Sequence, residues 1–394
     1  MNATGCNGNG GMKFGLTRRG FIELLSMGAL TVAGGGMLAG CGKPADTPSP
    51  SKPSGASGLT VDSDGNATIT DMAGREVTFP ADPQRVFSSS PANEPFLAAL
   101  VPERMIGWAN DMSEEQLSYY PANIGSTKTI GGWYGHTEGN TEGIITEAPD
   151  VVISSGDVST DAARESTGQR ADELATKLGL PVICVSYRLA DAPASMRNLG
   201  LWLGVEERGS KLADYTQGIL DRVTDIVSKV PADKVPTYYY AEAADGLKTE
   251  SADSFHVEVF QHCRLTCATD VEMSGFMGME QVSMEQVLQW NPDFIFVYSD
   301  QFFASVKDDE NWSDVTAVKN GDVYICPSCP QNWFDRSPNP LRVLGTLYAT
   351  ARVYPDRIDY DLDTEVKNYF KTLYDRDLTD EQVAALYLKG TEAH

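Results

Sequence analysis

Short apolar segments alternate with longer amphipathic stretches along most of the chain. Residues 67–70 and 76–79 alternate between apolar and polar positions around a turn, which predicts a β-hairpin. The apolar runs that follow predict strands at 85–88, 105–108, 151–154, 181–186, 237–242, 294–298 and 323–326. Strands that alternate with helices are typical of mostly parallel sheets that helices cover on both faces. The pattern therefore predicts an α/β fold.

An internal repeat divides the predicted elements into two sets. Residues 142–153 can be aligned with residues 285–296, and in both segments a glutamate stands seven positions before Pro-Asp. Paired apolar residues occupy the same offsets, and three apolar residues follow Pro-Asp. Each copy predicts a short helix that stops at proline and leads into a buried strand. Two copies predict two Rossmann-like lobes of similar build with a ligand cleft between them.

A long helical pattern separates the two copies. Apolar residues recur at helical spacing over residues 193–230, which predicts largely one long interlobe helix with a kink near Gly204 or Gly209. We therefore expect a first α/β lobe over 59–190, an interlobe helix over 191–232 and a second α/β lobe over 233–394.

The first forty residues have the features of an export signal. Arg18 and Arg19 lie in TRRGFI, which resembles a twin-arginine signal, and a modestly apolar stretch follows. The stretch ends in Leu-Ala-Gly-Cys41, which resembles a bacterial lipobox. Small residues before Cys41 admit a peptidase, and the thiol accepts a lipid that retains the protein at a membrane. The competing interpretation is a cysteine in a tight turn after an uncleaved anchor.

Residues 41–58 are rich in proline, serine and glycine, which predicts a flexible linker between the lipid and the folded body. Signal, lipid and linker together predict an exported protein that is anchored to the outer face of the cytoplasmic membrane.

The charge balance argues against two classes of partner. The chain has 31 basic and 55 acidic residues, for a net charge of −24. An acidic surface repels nucleic acid and anionic lipid headgroups, and it also simply favours solubility. The sequence contains no nucleophile elbow, no HExxH helix and no intact phosphate-binding loop, so we do not expect an enzyme.

The order and spacing of several short motifs resemble the solute-binding proteins of iron-siderophore, haem and cobalamin ABC importers. The resemblance covers residues 69 to about 354. The resemblance implies a monomer without a permanent cofactor, whose partners are the importer's permease subunits. The motifs are ITDMAGREVTFP, SPANE at 90–94, GGW at 131–133, NTE at 140–142, VSMEQ at 282–286 and NWFDR at 332–336.

The resemblance assigns two glutamates, Glu142 and Glu285, to importer docking, where family members pair such acids with permease arginines. The repeat agrees, because it places both glutamates at the same point of equivalent helices. A structural interpretation competes with docking, because an acid in the first turn of a helix is favoured by the helix dipole.

Loops after the carboxyl ends of parallel strands predict the ligand contacts. Trp133 and Trp333 match ligand-contacting positions of the family, one per lobe, although tryptophans are also common in cores. Arg336 either neutralises an anionic ligand or pairs with Asp335. The remaining predicted contacts are Asn93, Asn332, Tyr134 and His136, of which the last two are candidate ligands of a bound metal.

Five cysteines in the body leave three states open, namely disulfides, a zinc site that includes His262, and reduced buried thiols. These residues are Cys184, Cys263, Cys267, Cys326 and Cys329.

The ligand itself stays open at this stage. An iron-siderophore, haem or cobalamin fits the resemblance, and a bare oxyanion such as molybdate or tungstate is the alternative within the same fold. A cell-surface metal-dependent enzyme and a surface adhesin or sensor are the alternatives from other classes.

Overall fold

The computed structural model describes residues 58–133, 138–274, 278–388 and 390. The predicted export signal, Cys41 and the linker up to residue 57 lie outside the described residues, as do Tyr134 and His136. All described residues belong to one compact unit.

The described residues form strands and helices in the alternating order that the sequence predicts. The strands are β1 (Thr60–Val61), β2 (Asn66–Thr70), β3 (Glu76–Pro80), β4 (Val86–Ser88), β5 (Val151–Gly156), β6 (Val182–Ser186), β7 (Thr237–Ala241), β8 (Lys248–Thr249), β9 (Thr266–Cys267), β10 (Glu280–Gln281), β11 (Phe294–Val297) and β12 (Val323–Ile325). The helices are α1 (Glu94–Leu100), α2 (Glu114–Ser118), α3 (Thr141–Thr146), α4 (Asp161–Leu178), α5 (Ala192–Trp202), α6 (Glu206–Ser228), α7 (Glu258–His262), α8 (Met284–Trp290), α9 (Asp300–Ser305), α10 (Thr316–Asn320), α11 (Leu341–Val353), α12 (Leu362–Tyr374) and α13 (Asp380–Leu386).

Two parallel sheets form the framework. The first sheet has the order β4-β5-β6 and the second has the order β12-β11-β7-β9, and every pairing in both is parallel. The strand predicted at 105–108 is reduced to isolated bridges at Met105 and Trp108. The other predicted strands are present within one or two residues of their expected ends. The predicted α/β fold with mostly parallel sheets is confirmed.

Both sheets bury both faces. In β5, Val151 and Ile153 join one hydrophobic cluster while Val152 joins another on the opposite face. The second sheet is built in the same way, because Phe296 and Ile295 of β11 belong to different clusters. Apolar residues on both faces explain why these strands appear in the sequence as continuous apolar runs. The largest cluster contains strand residues of both sheets and so forms a core that the two halves share.

The predicted opening hairpin is present as antiparallel β2 and β3, and Asp71 fixes it to the first sheet. Its Oδ1 accepts the N–H groups of Ala73 and Arg75 within the turn. Its Oδ2 accepts a hydrogen bond from the Arg75 guanidinium and another from the N–H of Cys184 on β6. The motif at 69–80 therefore has a structural role.

The internal repeat appears as two equivalent helix–turn–strand units, α3–β5 and α8–β11. The residue before the proline is left-handed in both copies, with φ of 46° at Ala148 and 42° at Asn291. The next residues, Pro149 and Pro292, are both buried and end their helices.

The aspartate of each Pro-Asp pair also has the same structural role in the two copies. The Asp150 carboxylate accepts the N–H groups of Gln84 and Arg85 just before β4. The Asp293 carboxylate accepts the N–H and the hydroxyl of Thr237 at the start of β7. Each aspartate thus fixes the start of the neighbouring strand.

The predicted long helix is present as two helices, α5 and α6, separated by Leu203–Val205. Gly204 lies in the break with φ of +73°, so the interruption falls at one of the two predicted positions. The two helices pack on each other where Gly200 meets Gly209, and α6 then leads to β7 in the second sheet. Among the described residues, no helix combines the length and apolar character that a membrane span requires.

Candidate functional site

A cavity of about 940 Å³ lies between residues of the first and second halves of the chain. The first half contributes most of the wall, and the second half contributes one side of it. The lining residues are Ser89, Ser90, Ala92, Trp133, Glu138, Ser154, Ser155, Gly156, Thr167, Arg170, Ala171, Glu173, Leu174, Lys177, Tyr187, Phe255, His256, Arg336, Ser337 and Pro338.

The first sheet places its wall residues where its strands end. Ser89 and Ser90 follow β4, residues 154–156 form the end of β5, and Tyr187 follows β6. This edge is where ligands meet open parallel sheets, because the loops that leave the strand ends converge there. The cavity therefore lies at the edge that the strand pattern predicts.

Trp133 lines the cavity, and its surroundings fix its position. Its backbone N–H donates to the carbonyl of Ser89 at 2.7 Å, and its indole ring lies over Gly139. A side chain at Gly132 would stand 2.4 Å from the Ser89 carbonyl oxygen, so the backbone approach requires glycine there. The ammonium of Lys177 lies 5.5 Å from the ring centroid, within the range of a cation–π contact.

Two aromatic rings from opposite halves meet in the wall. The ring centroids of Tyr187 and Phe255 are 5.0 Å apart, at an interplanar angle of 32°. Together with Trp133 they give the cavity an apolar, aromatic lining suited to a small molecule.

Arg336 reaches the cavity from the second half, but acidic side chains surround its guanidinium. Glu242 pairs with it, Glu250 Oε1 lies 2.5 Å from one of its nitrogens, and Asp335 Oδ2 lies 2.6 Å from another. All three carboxylates are buried. Arg336 therefore pairs with Asp335, which is one of the two alternatives that the sequence predicts. It also pairs with Glu242 and Glu250.

Burial and mutual charge set the protonation of this acidic cluster. Burial opposes the charge of Arg336, yet the carboxylates of Asp335 and Glu242 raise its pKa. Burial raises the pKa of Glu242 well above its usual range. Burial would also raise the pKa of Glu250, but His256 and Arg336 outweigh it and lower that pKa. With three carboxyl groups around one guanidinium, the cluster has no surplus positive charge for an anionic ligand.

His256 lines the cavity beside this cluster, and one of its ring nitrogens is already engaged. Nδ1 lies 2.9 Å from Glu250 Oε1 and 3.0 Å from an Arg336 nitrogen. Nδ1 is therefore occupied by this cluster, and Nε2 has no hydrogen-bond partner among the described residues. Metal-binding histidines in proteins commonly have this orientation, with a carboxylate behind the ring.

Behind the cavity, Arg342 ties the two halves together. Its guanidinium donates to the carbonyls of Tyr187, Phe255 and Phe334 and to the carboxylate of Glu258, at 2.8–3.2 Å. Arg342 itself is fully buried. A buried cation with every partner in place is costly to disturb, so this joint is rigid.

Glu258 continues the joint into the first half. Its Oε2 accepts the N–H of Leu189 at 2.9 Å, and its carboxylate pairs with Arg188. Arg188 also pairs with Asp157, which follows β5, at 3.2 Å. The loops after β5 and β6 are thereby fixed to the second half.

Glu94 forms a second buried link between the halves. Its Oε1 accepts the N–H of Ala109 at 2.6 Å, and its Oε2 accepts from the side-chain amide of Gln331 at 3.0 Å. Burial raises its pKa to about 8, because the hydrogen bonds only partly offset the cost of desolvation.

Three predicted ligand contacts lie in other places. Trp333 is fully buried in the shared core against Tyr348 and Phe370, so it does not face Trp133 across the cavity. The Asn332 side-chain oxygen accepts the backbone N–H groups of Phe334 and Asp335 in its own turn. Asn93 is buried and donates to the carbonyl of Ile153. Of the predicted contacts that the structure describes, Trp133 and Arg336 line the cavity.

The predicted docking acids lie on the surface. Glu142 and Glu285 are exposed in the first turns of α3 and α8. Among the described residues, neither carboxylate takes part in an ion pair. Ser283 and Gln286 form a capping box at the start of α8, as the structural interpretation of this segment predicts.

The five body cysteines are free thiols, so the disulfide alternative is not realised. Burial raises the pKa of Cys184 and that of Cys263 to about 12, which leaves both protonated and unreactive. Among the described residues, no group of three or more His, Cys, Asp or Glu side chains is arranged to hold a metal ion.

Sequence reasoning missed Phe255 and His256. Both lie in a short 3-10 turn before α7 and not directly after a strand of a parallel sheet, so the strand-end rule passes over them. The local signal is Ser254, whose hydroxyl accepts the N–H of His256 and caps this turn.

Comparison with known proteins agrees with this architecture. Residues 108–330 match the family described as Periplasmic binding protein. The chain is 26% identical to the molybdate-binding protein MolA of Haemophilus influenzae over 260 residues, which are 60% of this chain and 70% of that protein. It is 23% identical to the uncharacterized ABC transporter substrate-binding lipoprotein YvrC of Bacillus subtilis, over 81% of this chain and 94% of that protein.

A solved structure extends the similarity to the three-dimensional fold. An ABC transporter solute-binding protein from Sulfurospirillum deleyianum superposes with a TM-score of 0.73 at 26% identity, over 81% of this chain and 98% of that chain. The family match covers more than half of the chain, and the relatives span most of its described body. The chain therefore belongs to the periplasmic binding protein family and is a solute-binding protein of the ABC-transporter type.

Proposed function

We propose that the protein captures a small metal-containing chelate, of the iron-siderophore, haem or cobalamin type, and delivers it to the permease of an ABC importer. The observation that carries the proposal is the cavity, which combines aromatic walls with a carboxylate-oriented histidine. In this proposal Trp133, Tyr187 and Phe255 contact the organic part of the chelate. His256 Nε2 is available to the metal.

The size and charge of the cavity favour a chelate over a bare oxyanion. About 940 Å³ is near the upper end of ordinary small-molecule pockets, which hold about 300–1,000 Å³. An oxyanion such as molybdate needs several unoccupied donors close together, whereas the Arg336 guanidinium is surrounded by three carboxylates.

The oxyanion alternative keeps one argument in its favour. MolA of Haemophilus influenzae is named as a molybdate-binding protein. Arg170 and Lys177 also line the cavity, although Glu138 and Glu173 line it as well. A direct comparison of the two ligand classes therefore belongs in the first experiment.

The experiment is native mass spectrometry with metal analysis on protein purified from its own cells. We expect a bound organic mass together with one equivalent of metal. A bound mass of molybdate or tungstate alone would contradict the chelate proposal, and conversion of the bound compound to a product would favour the enzyme alternative. Titrations with ferric catecholate and hydroxamate complexes, haemin, cyanocobalamin and sodium molybdate then rank the candidates.

His256→Gln tests the proposed contact with the metal. The variant lacks the imidazole nitrogen that is proposed to bind the metal, so binding of the preferred chelate should weaken by about 10–100-fold. Mutation of residues that only hydrogen-bond to metal ligands already has effects of that size. His262→Gln is the matched control, because His262 contacts the carbonyl of Leu220 away from the cavity. Equal affinities for both variants and the wild type would contradict the role of His256.

Delivery requires docking and retention at the membrane. We propose that Glu142 and Glu285 pair with basic residues of the permease, and that a lipid on Cys41 keeps the protein at the outer face of the cytoplasmic membrane. The proposed assignments of residues 59–190 and 233–394 to two lobes are supported by the position of each parallel sheet. Cys41→Ala should release the protein from the membrane fraction without changing ligand affinity.

A further inference from the structure

Large apolar side chains that remain exposed are few in the described part of the chain. Two of them, Ile145 and Leu288, lie in the two repeat helices and are 46% and 40% exposed. Single exposed apolar residues are normal and need no explanation. These two differ because they occupy the same position of the internal repeat, three residues after Glu142 and Glu285 respectively.

Packing in the core accounts for the apolar residues next to Ile145 and Leu288, but it does not account for Ile145 and Leu288 themselves. Each repeat has a pair of consecutive apolar positions, and the first member of the pair is fully buried, as Ile144 in one copy and Val287 in the other. The second member of the pair points outward in both copies. The buried members therefore supply the contacts that hold each helix to its sheet, and packing within the body does not account for the outward members.

The outward residue and the acid lie on one face of each helix. Residues three positions apart on a helix are surface neighbours, so Glu142 lies beside Ile145 and Glu285 lies beside Leu288. We call these two pairs the docking patches. Each patch offers a carboxylate without an ion-pair partner among the described residues, next to an apolar side chain.

We infer that Ile145 and Leu288 are the apolar anchors of a two-point contact with the importer permease, each beside its glutamate. This inference rests on the proposed function. An exposed ion pair by itself contributes little to affinity, whereas an apolar side chain that becomes buried contributes more and needs a complementary pocket. Because the patches are equivalent, the partner surface should present two equivalent sites, each a basic group beside an apolar pocket.

Site-specific photocrosslinking in the organism's own cells tests the inference. A photoreactive phenylalanine analogue replaces residue 145 or 288 of the full-length protein, and mass spectrometry identifies the crosslinked product. Val61 and Leu388 are the matched control positions, because they are exposed apolar residues outside the repeat. We expect crosslinks to a polytopic ABC permease from 145 and from 288, and none from the controls.

A second measurement separates the apolar anchors from the acids. Glu142→Gln with Glu285→Gln should lower the crosslink yield from both positions, and Ile145→Ser with Leu288→Ser should lower permease affinity by about tenfold, as expected for losing two partly buried aliphatic contacts. Ligand affinity should not change in either double variant.

Several results would overturn the inference. These are a crosslink from only one of the two positions, equal yields from the control positions, a second copy of this chain as the product, or unchanged permease affinity in the Ile145→Ser/Leu288→Ser variant. Native mass spectrometry of the same preparations distinguishes failure of this inference from failure of the proposed function. If the protein binds a chelate but forms none of these crosslinks, the inference is wrong and the proposed ligand capture still holds. A protein that holds no ligand contradicts the proposed function itself.

Discussion

At the scale of single residues, the charges in the cavity wall are balanced before a ligand arrives. Arg336 is the basic residue that the sequence offers to an anion, yet Glu242, Glu250 and Asp335 surround its guanidinium. The same cluster holds His256 by Nδ1, which leaves Nε2 as the ring nitrogen that a ligand can contact. Site chemistry here follows from side chains that are far apart in sequence and meet at the wall.

Glu94 gives a prediction about pH at the same scale. Its pKa rises from 4.5 to about 8 because it is buried, so between these pH values the folded protein retains a proton that the unfolded chain has released. Raising the pH through this window therefore favours unfolding, by at most about 1.4 kcal/mol per pH unit for one proton. The stabilising contribution is complete below pH 4.5 and is lost as the pH passes 8.

Glu94→Gln should remove this dependence, since the amide keeps an acceptor for the N–H of Ala109 and carries no proton that titrates. Urea denaturation at several pH values measures the difference between the variant and the wild type. The exposed Glu114→Gln variant is the control and should follow the wild type. If the free energy of unfolding changes with pH in the same way for the wild type and for Glu94→Gln between pH 5 and 8, the Glu94 carboxyl is not held protonated.

At the scale of elements, a glycine pair decides how α5 and α6 pack. A Cβ on Gly200 would lie 2.5 Å from the Cα of Gly209, and a Cβ on Gly209 would lie 2.6 Å from the Cα of Gly200. Backbone atoms cannot move aside as a flexible side chain can. The two helices can therefore approach this closely only with glycine at both positions.

Gly200→Ala and Gly209→Ala should each lower the free energy of unfolding by about 1–3 kcal/mol, the usual cost of overpacking a tight contact. Gly218→Ala is the matched control, because Gly218 lies on α6 with nothing within 4 Å of an added Cβ. Alanine there should raise stability by about 0.5–1 kcal/mol through helix propensity. Similar changes at all three positions in urea titrations would contradict the close packing of α5 on α6.

The internal repeat shows which structural features a local sequence pattern can predict. Its Pro-Asp pairs predict helix stops, and both helices stop there with the preceding residue left-handed. The second function of Asp150 and Asp293, which is to hold the start of a neighbouring strand, depends on chain segments 56 to 66 residues away. Such partners have no signal in the local sequence.

At the scale of the whole molecule, a shared core and two buried polar links connect the two halves. The largest hydrophobic cluster draws residues from both parallel sheets, and Arg342 with Glu258 bridges their loops. Because the joint is buried and fully hydrogen-bonded, we expect only a small movement of one half against the other when a ligand binds. A binding site that is already formed before the ligand arrives loses less conformational entropy when the ligand binds.

A shared core predicts cooperative unfolding. Calorimetry of the protein without its lipid anchor should show one transition whose calorimetric and van't Hoff enthalpies agree, although the chain is long enough for two domains. Arg342→Leu should lower the transition temperature strongly, because it leaves Glu258 and three carbonyls without their donor; removing one partner of a buried pair costs about 3–5 kcal/mol. Two resolved transitions in the wild-type protein would contradict the shared core.

The sequence by itself determined the periodic features of this protein. Apolar runs predicted the strands and the repeat predicted two similar halves, because these features follow from local periodicity. The sequence predicted one long helix with a kink near Gly204 or Gly209, and the structure has two helices with the break at Gly204. The strand-end rule also located the cavity edge, and the loops that it selects include Trp133 and Arg336 together with Trp333 and Asn332. These inferences need only neighbours along the chain.

Tertiary structure alone decided which side chains face the cavity. Trp133 and Trp333 have the same chemistry, yet one lines the cavity and the other is buried in the core. The same holds for His256, whose role depends on Glu250 and Arg336. It also holds for Arg336, which pairs with Glu242 and Glu250 in addition to the adjacent Asp335. Burial and charge balance are sums over contacts between residues far apart in sequence, and only the folded chain brings those contacts together.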